Sequence, residues 1–361
     1  MKNPIHENRI NRILEEMKKR GLKQLLVSDP KSIGYLTDVW NEPYERMFAL
    51  LLKADGGHKL FLNRLFNVPD TGIQEEWYSD SDDSVELVAQ SVDPQSAIGI
   101  DKEWTARFLI PLMEKCPTMK IVLGSDCVDD VRACKDEEEK KLMRKASRIN
   151  DETVEKAASF VKAGMTEKEV AAYINRTYRE AGSNGPSFTT IVSFGANAAD
   201  PHHEPDDTVL KKGDCVLIDM GCVWKRYCSD MTRTYFCGKA DPEYASIHDL
   251  VRSANEKAES MIKPGVKLSS IDAAARDLIT AAGYGENFNH RLGHFIGLTD
   301  HEKGDVGASS DLVAKEGMIF SIEPGVYLPG RFGVRVEDLI LVTSTGCEVL
   351  NQADKHWKIV G

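Results

Sequence analysis

No stretch of the chain approaches the roughly 18 consecutive apolar residues that a membrane-spanning helix requires, and residues 1–20 are charged and lack the apolar centre of a secretory leader. A cytoplasmic protein without a membrane partner is expected. No block of Lys or Arg is present either: 46 basic residues are outnumbered by 57 acidic ones, for a formal net charge of -11. A surface of that sign repels phosphate backbones and anionic lipid, which excludes nucleic acid as a partner class. The eight cysteines include Cys215, Cys222, Cys228 and Cys237 but no Cys-x-x-Cys pair, which argues for reduced structural thiols rather than a zinc knuckle or a disulfide framework. Asn175-Arg176-Thr177 has the letters of a glycosylation sequon; in a chain without a secretory signal it is taken as chance.

What is present is an ordinary globular composition, 42% hydrophobic and 29% charged over 361 residues, enough for about two domains with separate cores. Ile10, Ile13, Leu14 and Met17 recur at helical spacing up to Gly21, and residues 24–27 then form an apolar run closed by Ser28-Asp29-Pro30. The order helix, strand, turn follows. Further apolar runs at 48–52, 59–62, 97–100 and 120–123 alternate with polar helix-like stretches, so an α/β domain is expected over residues 1–130. A charged stretch at 135–144 opens a helix reaching about residue 159, with Leu142, Ala146, Ile149 and Val154 at nearly helical spacing, and a second domain is expected over 131–361.

The second domain carries an internal repeat. Val161-Lys162-Ala163-Gly164 through Ala181-Gly182 aligns without a gap on Ile262-Lys263-Pro264-Gly265 through Ala282-Gly283, each copy reading as a loop and an amphipathic helix capped by Gly. Further on, Val209-Leu210-Lys211-Lys212-Gly213 leading to Ile218-Asp219-Met220-Gly221 matches Val313-Ala314-Lys315-Glu316-Gly317 leading to Ile322-Glu323-Pro324-Gly325. Both copies end on a strand with an embedded acid, which predicts two related halves whose carboxylates face a shared axis.

Residues 215–221 read as a strand, with Leu217 and Asp219 on one face and Val216 and Ile218 on the other. A carboxylate buried there without a partner costs several kcal/mol, so Asp219 should be paired, hydrogen-bonded or metal-bound. Past a turn at Lys225-Arg226-Tyr227, Asp230 opens a second strand whose face Thr232 and Thr234 share, and a hairpin can bring both acids together. The second half repeats the arrangement with Glu323 and, after a Pro329-Gly330 turn, Glu337. Four converging acids would raise one another's pKa severely, and a pair of divalent cations is the usual remedy. Oxygen ligands plus one imidazole suit Mn, Co, Zn or Fe(II). His294 supplies the imidazole, and its flanking Gly293 allows close backbone approach.

Through Leu217-Ile218-Asp219-Met220-Gly221, Ser229-Asp230-Met231-Thr232-Arg233-Thr234, Gly293-His294, Ser321-Ile322-Glu323-Pro324-Gly325 and Val334-Arg335-Val336-Glu337-Asp338, the second half resembles the pita-bread metallopeptidase family of methionine aminopeptidase, aminopeptidase P and prolidase. The resemblance implies an α+β pita-bread catalytic domain with a pseudo-twofold repeat, preceded by an α/β domain of the creatinase/prolidase N-terminal kind. It implies that Asp230 and Glu337 bridge two metals, foremost Mn, that Asp219 chelates one, and that His294 with Glu323 completes the other. A water between the metals becomes the nucleophile, and Glu323 shuttles its proton to the leaving amine.

His202 and His301 match the prolidase and aminopeptidase P branch, where they would bind the carbonyl or tetrahedral oxygens; His203 is left outside the site. Arg335, on the strand face of Glu337, is a candidate clamp on a ligand carboxylate, and Thr232 a second supporting residue. Phe295 departs from the family, which usually has Gly after this His, and is expected to narrow the pocket. The segment Asp38-Val39-Trp40-Asn41-Glu42-Pro43-Tyr44-Glu45-Arg46 resembles a loop that bacterial prolidases present to the partner subunit's cleft, so a homodimer is expected. The substrates implied are proline-containing dipeptides or short peptides. Xaa-Pro dipeptidase and Xaa-Pro aminopeptidase both remain open; the intact acids speak against a metal-free creatinase-like hydrolase or a bare binding module.

Overall fold

The computed structural model describes residues 4–361, so residues 1–3 of the charged N-terminal stretch lie outside the described residues. The chain divides into two compact units, Met1–Arg132 and Ala133–Gly361. Among the described residues no helix is long and apolar enough to cross a membrane.

The first unit runs α1 (Pro4–Lys19), β1 (Gln24–Val27), α2 (Pro30–Thr37), β2 (Ala49–Lys53), β3 (Lys59–Asn63), β4 (Gln74–Tyr78), α3 (Ser84–Ser91), β5 (Ile98–Ile100), α4 (Ala106–Lys115), β6 (Ile121–Leu123) and α5 (Asp126–Ala133). The strands form one mixed sheet in the order β4-β3-β2-β1-β5-β6. Leu26, Ala49, Leu51 and Phe61 on one face of it meet Val85 and Val88 of α3 and Leu112 of α4, the alternation a half-covered strand produces. Four apolar runs thus became β2, β3, β5 and β6. The edge strand β4, Gln-Glu-Glu-Trp-Tyr, carries no apolar run, because at the sheet's margin only Tyr78 is buried.

The second unit runs α6 (Glu137–Phe160), α7 (Glu167–Glu180), β7 (Ile191–Phe194), a 3₁₀ segment (Gly195–Ala199), β8 (Cys215–Met220), β9 (Val223–Trp224), β10 (Tyr227–Cys228), β11 (Met231–Cys237), α8 (Pro242–Ser260), α9 (Leu268–Ala281), β12 (Gly293–Phe295), β13 (Glu302–Val306), β14 (Ile319–Ile322), β15 (Gly325–Leu328), β16 (Phe332–Arg335), β17 (Asp338–Val342), β18 (Cys347–Val349) and β19 (Ile359–Val360). Its main sheets are β19-β11-β8-β7 and β13-β12-β14-β17-β18.

The internal repeat is visible bond by bond. Thr166 bridges Val209 in the first half as Lys267 bridges Val313 in the second. Gly164 N donates to Leu210 O at 2.9 Å, and Gly265 N donates to Ala314 O at 2.9 Å. Both glycines need a left-handed backbone, at φ 93° and 91°, which explains why the copies keep them. Antiparallel pairing of β7 with β8 and β8 with β11 is matched by β12 with β14 and β14 with β17. Each half also ties its acid-bearing strand to a helix: Asn150 of α6 donates to Met220 O at 2.9 Å, and Asn255 of α8 to Ile322 O at 2.8 Å.

The core is split by β8. Val216, Ile218 and Met220 pack with α6 and α7, whereas Cys215 and Leu217 join the cluster of α8, α9 and the second sheet. All eight cysteines carry free thiols. Asn175 of the sequon-like triplet lies inside α7 and accepts from Thr190 Oγ1 at 2.8 Å.

One polar group in this core sets an acid limit. His248 of α8 is buried, its Nδ1 without a hydrogen-bond partner among the described residues. Burial first, and then the charge of Arg252, push its pKa down to about 3. Between that value and the ordinary histidine 6.5 the unfolded chain binds a proton that the folded chain refuses, so stability falls as pH drops through 6.5. Down to pH 4 this amounts to on the order of 3 kcal/mol. In His248→Gln, the stability lost between neutral pH and pH 4, read from urea midpoints, is expected to shrink by that order; an unchanged pH slope would refute the assignment.

Candidate metal centre

Asp219 sits near the end of β8, and Asp230 immediately precedes β11, the chain reversing between them through the β9–β10 hairpin. That two-residue turn is made by Lys225 and Arg226, both left-handed at φ 45° and 76°. β11 pairs with β8 in a register that sets Thr232 opposite Asp219. In the second half Glu323 follows β14, and Glu337 lies between β16 and β17. His294 is central in β12, where a Cβ on Gly293 would come within 1.9 Å of Ser321 O, so glycine is required for the strand to close in.

The five side chains converge on the floor of one cleft of about 870 Å³, whose wall also includes His202, Arg291, His301 and Arg335. Ligand atoms of Asp230, His294 and Glu337 all lie within 4.8 Å of one another. His294 Nδ1 donates to Phe295 O at 3.2 Å, which leaves the Nε2 lone pair facing Asp230 Oδ2 at 3.6 Å and Glu323 Oε1 at 3.5 Å. An imidazole lone pair turned to two carboxylates is repulsive by itself and favourable with a cation between them. Asp219 Oδ1 and Asp230 Oδ1 are buried without a hydrogen-bond partner, each an acceptor waiting for a positive ligand.

The electrostatics agree. Burial, then the charges of Glu337, Asp219 and Glu323, push the Asp230 carboxyl well above the usual carboxylate range. Burial followed by Glu323 and Asp219 does the same to Glu337. Burial drives His294 down to about 4, keeping it neutral and able to ligate. A buried cluster of acids around a neutral imidazole fits divalent cations by its donor chemistry.

The supporting residues are arranged around this floor. Thr232 Oγ1 donates to Glu337 Oε2 at 2.6 Å and accepts from Arg335 Nε at 2.9 Å. Arg335 also reaches Asp219 Oδ2 at 2.5 Å and Tyr327 Oη at 2.9 Å, so the carboxylate it holds directly is that of Asp219. Behind them the fully buried Arg233 donates to Glu337 O at 2.7 Å and pairs with Asp338 at 2.7 Å.

Models of two families match the chain: metallopeptidase family M24 over residues 141–344, and the creatinase/prolidase N-terminal domain over residues 9–134. The chain belongs to metallopeptidase family M24. A peptidase of Staphylococcus aureus (strain MSSA476), itself uncharacterized, is 37% identical over 96% of this chain and 99% of its own. A dipeptidase from Mycobacterium ulcerans superposes with a TM-score of 0.94 at 32% identity, covering 100% of this chain and 99% of that one. A prolidase from Thermococcus sibiricus does so at 0.90 and 30%, covering 98% and 99%. The second unit accordingly has the pita-bread architecture, and the first is a creatinase/prolidase N-terminal domain.

One expectation about this peptidase needs correction. Phe295 does not line the cleft: strand alternation turns it away from His294 into the core, where it is fully buried against Phe320 and over Gly304. It therefore does not narrow the pocket. His203, expected outside the site, is not among the cleft's lining residues; its Nε2 lies 2.7 Å from Oε2 of the buried Glu167. Sequence reasoning also missed Arg291, which lies in the cleft wall with Nη2 on His301 Nδ1 at 3.0 Å and Nε on Asp305 at 3.1 Å. It lies in the irregular segment before β12, where neither strand nor helix periodicity applies, so no pattern pointed to it. Tyr327, which joins Arg335 to His290 Nε2 at 3.0 Å, was likewise silent.

Proposed function

We propose that this metallopeptidase hydrolyses the peptide bond of Xaa-Pro dipeptides, with Asp219, Asp230, His294, Glu323 and Glu337 holding two divalent cations, Mn foremost and Co, Zn or Fe(II) as substitutes. The observation that carries the reading is the convergence of four acids and an unprotonated imidazole nitrogen on one cleft floor, with partnerless carboxylate oxygens among them. Bound cations would acidify a water, polarise the scissile carbonyl and neutralise the acids' mutual repulsion.

The remaining work falls to the chain's own groups. Hydrolysis adds water across the C–N bond, so one proton must travel from water to the prolyl nitrogen, which leaves as a secondary amine. Glu323, whose Oε1 is steadied by Ser321 Oγ at 3.1 Å, is the carrier assigned to that transfer. Arg291 can only donate, so its contact makes His301 Nδ1 an acceptor and puts the ring proton on Nε2, available to the carbonyl oxygen as it becomes tetrahedral. The ring of His202, also in the cleft wall, has no hydrogen-bond partner among the described residues and takes the same oxygen from another side.

Arg291 favours dipeptides over longer substrates. With Nε and Nη2 engaged by Asp305 and His301, its Nη1 end is left for an anion, and the prolyl carboxylate of a dipeptide lies one residue beyond the scissile bond. In an Xaa-Pro-Xaa tripeptide that group is a neutral amide. With added Mn2+, release of proline from Ala-Pro is expected to outpace cleavage of Ala-Pro-Gly. Arg291→Met is expected to raise KM for Ala-Pro about tenfold, as loss of a charged hydrogen bond does, and to leave KM for the tripeptide nearly unaffected, while kcat falls for both substrates because His301 Nδ1 loses the donor that fixes its tautomer. Equal or faster tripeptide cleavage would make the protein an Xaa-Pro aminopeptidase instead.

A further inference from the structure

The loop that carries His202 into the cleft runs from the 3₁₀ segment to β8; its later part is held by backbone bonds such as Gly164 N to Leu210 O, and the part around His202 is tied to one carboxylate. Glu167, in the first turn of α7, has a fully buried side chain. Its Oε1 accepts from Phe194 N at 2.7 Å and Asn197 Nδ2 at 3.0 Å; its Oε2 accepts from His203 Nε2 at 2.7 Å and Asp206 N at 3.1 Å. Asn197 gives its other amide hydrogen to Thr208 Oγ1 at 3.0 Å, and Glu167 N donates to Thr208 O at 3.2 Å. The loop is thereby stitched at both ends to the start of a helix.

His202 itself is held only through its backbone, N donating to Asp200 Oδ1 at 3.0 Å. Its immediate neighbour His203 is the residue whose side chain anchors this stretch of the loop. Consecutive Cα atoms are fixed about 3.8 Å apart by covalent geometry, so whatever sets His203 sets the root of the His202 side chain. Glu167, His203 and Asp206 could by residue type hold a cation, their ligand atoms lying within 4.8 Å of one another. Four N–H groups already occupy the Glu167 oxygens, however, and His203 Nε2 gives its hydrogen to one of them, so no set of free lone pairs faces a common point.

We propose that His203, bonded to the buried Glu167, is a positioning residue that fixes His202 against the substrate's carbonyl oxygen. The proposal rests on the reading of His202 given above, and a double-mutant cycle separates the two. In the Mn-loaded full chain, His203→Ala is expected to lower kcat on Ala-Pro about tenfold, the lower end for loss of a supporting partner. KM and Mn content should change little, while the thermal midpoint falls by a few degrees with the bond lost to the buried carboxylate. His203→Gln, whose amide can still donate to Glu167, should recover most of the rate, whereas His203→Leu, of similar volume but without a donor, should not.

In a His202→Ala background, adding His203→Ala should cost nothing more. If the two losses multiply, or if His203→Ala keeps the parent kcat, the positioning role is overturned. If His202→Ala alone keeps the parent kcat, the oxygen-binding reading of His202 falls, and any loss in His203→Ala would then have to arise by another route, which also overturns the proposal.

Discussion

Glu337→Gln is expected to lower hydrolysis by roughly a thousandfold or more while making the cation-free protein melt at a higher temperature. The two effects have one cause. Burial and the charges of Glu323 and Asp219 push the Glu337 carboxyl well above its ordinary range, so without a cation the ionised form is a liability to the fold. For an acid shifted upward, the folded state holds the proton longer than the unfolded one. Stability is therefore lost as pH rises above the unfolded carboxylate value. Gln removes that loss and still offers Thr232 Oγ1 an oxygen in place of Oε2.

Cations reverse the comparison. A cation bound there would stabilise the parent by about 2.7 kcal/mol at a hundredfold excess over Kd, whereas the variant lacks one of the proposed ligand carboxylates and should gain much less. Scanning calorimetry with and without EDTA, beside kcat for Ala-Pro, reads both effects. A variant that melts below the parent in EDTA, or that keeps parental turnover, would remove Glu337 from the centre.

Much of this was legible in the chain. The alternation at 216–219 is reproduced by the division of β8 between two cores, and the repeated Gly, strand and acid segments are the same bonds made twice. Local rules suffice there because period-two burial and left-handed glycines are properties of a few consecutive residues. The polar edge strand β4 escaped because an edge requires no apolar run. Phe295 was misassigned because nearness to His294 along the chain was taken as nearness in the cleft, although adjacent strand residues point opposite ways. The Arg335–Asp219, Glu167–His203 and Arg291–His301 contacts join residues 116, 36 and 10 positions apart. Nothing in a single sequence ties such pairs together.

The pseudo-twofold repeat also explains how four acids can be brought so close. Each half anchors its own acid-bearing strand to its own helix, through Asn150 and through Asn255, independently of the other half's charge. Arg335 then offsets Asp219 directly, and Thr232 relays it to Glu337, so one guanidinium serves a carboxylate from each half. Full neutralisation would leave no need for cations; a single positive charge among four acids holds the architecture while leaving the site strongly anionic.

His301→Ala should leave that centre loaded and still lose about a hundredfold in kcat, the cost typical of removing one donor to a developing oxyanion. The ring stacks on His294 at 3.8 Å and 19°, beside a proposed ligand without itself being one of the five converging groups. Burial, then His294 and Arg291, lower its pKa, so at neutral pH it is an uncharged imidazole. With Nδ1 accepting from Arg291, its Nε2–H is a fixed donor whose bond strengthens as the carbonyl oxygen gains charge, which raises kcat rather than lowering KM. His301→Gln can keep both contacts, Oε1 toward Arg291 and Nε2 toward substrate, and should retain part of the rate that Ala loses. Metal analysis decides between this role and its rival: if His301→Ala loses bound cation in step with its activity, the ring acts by bracing His294, and oxygen binding is no longer needed to explain the loss.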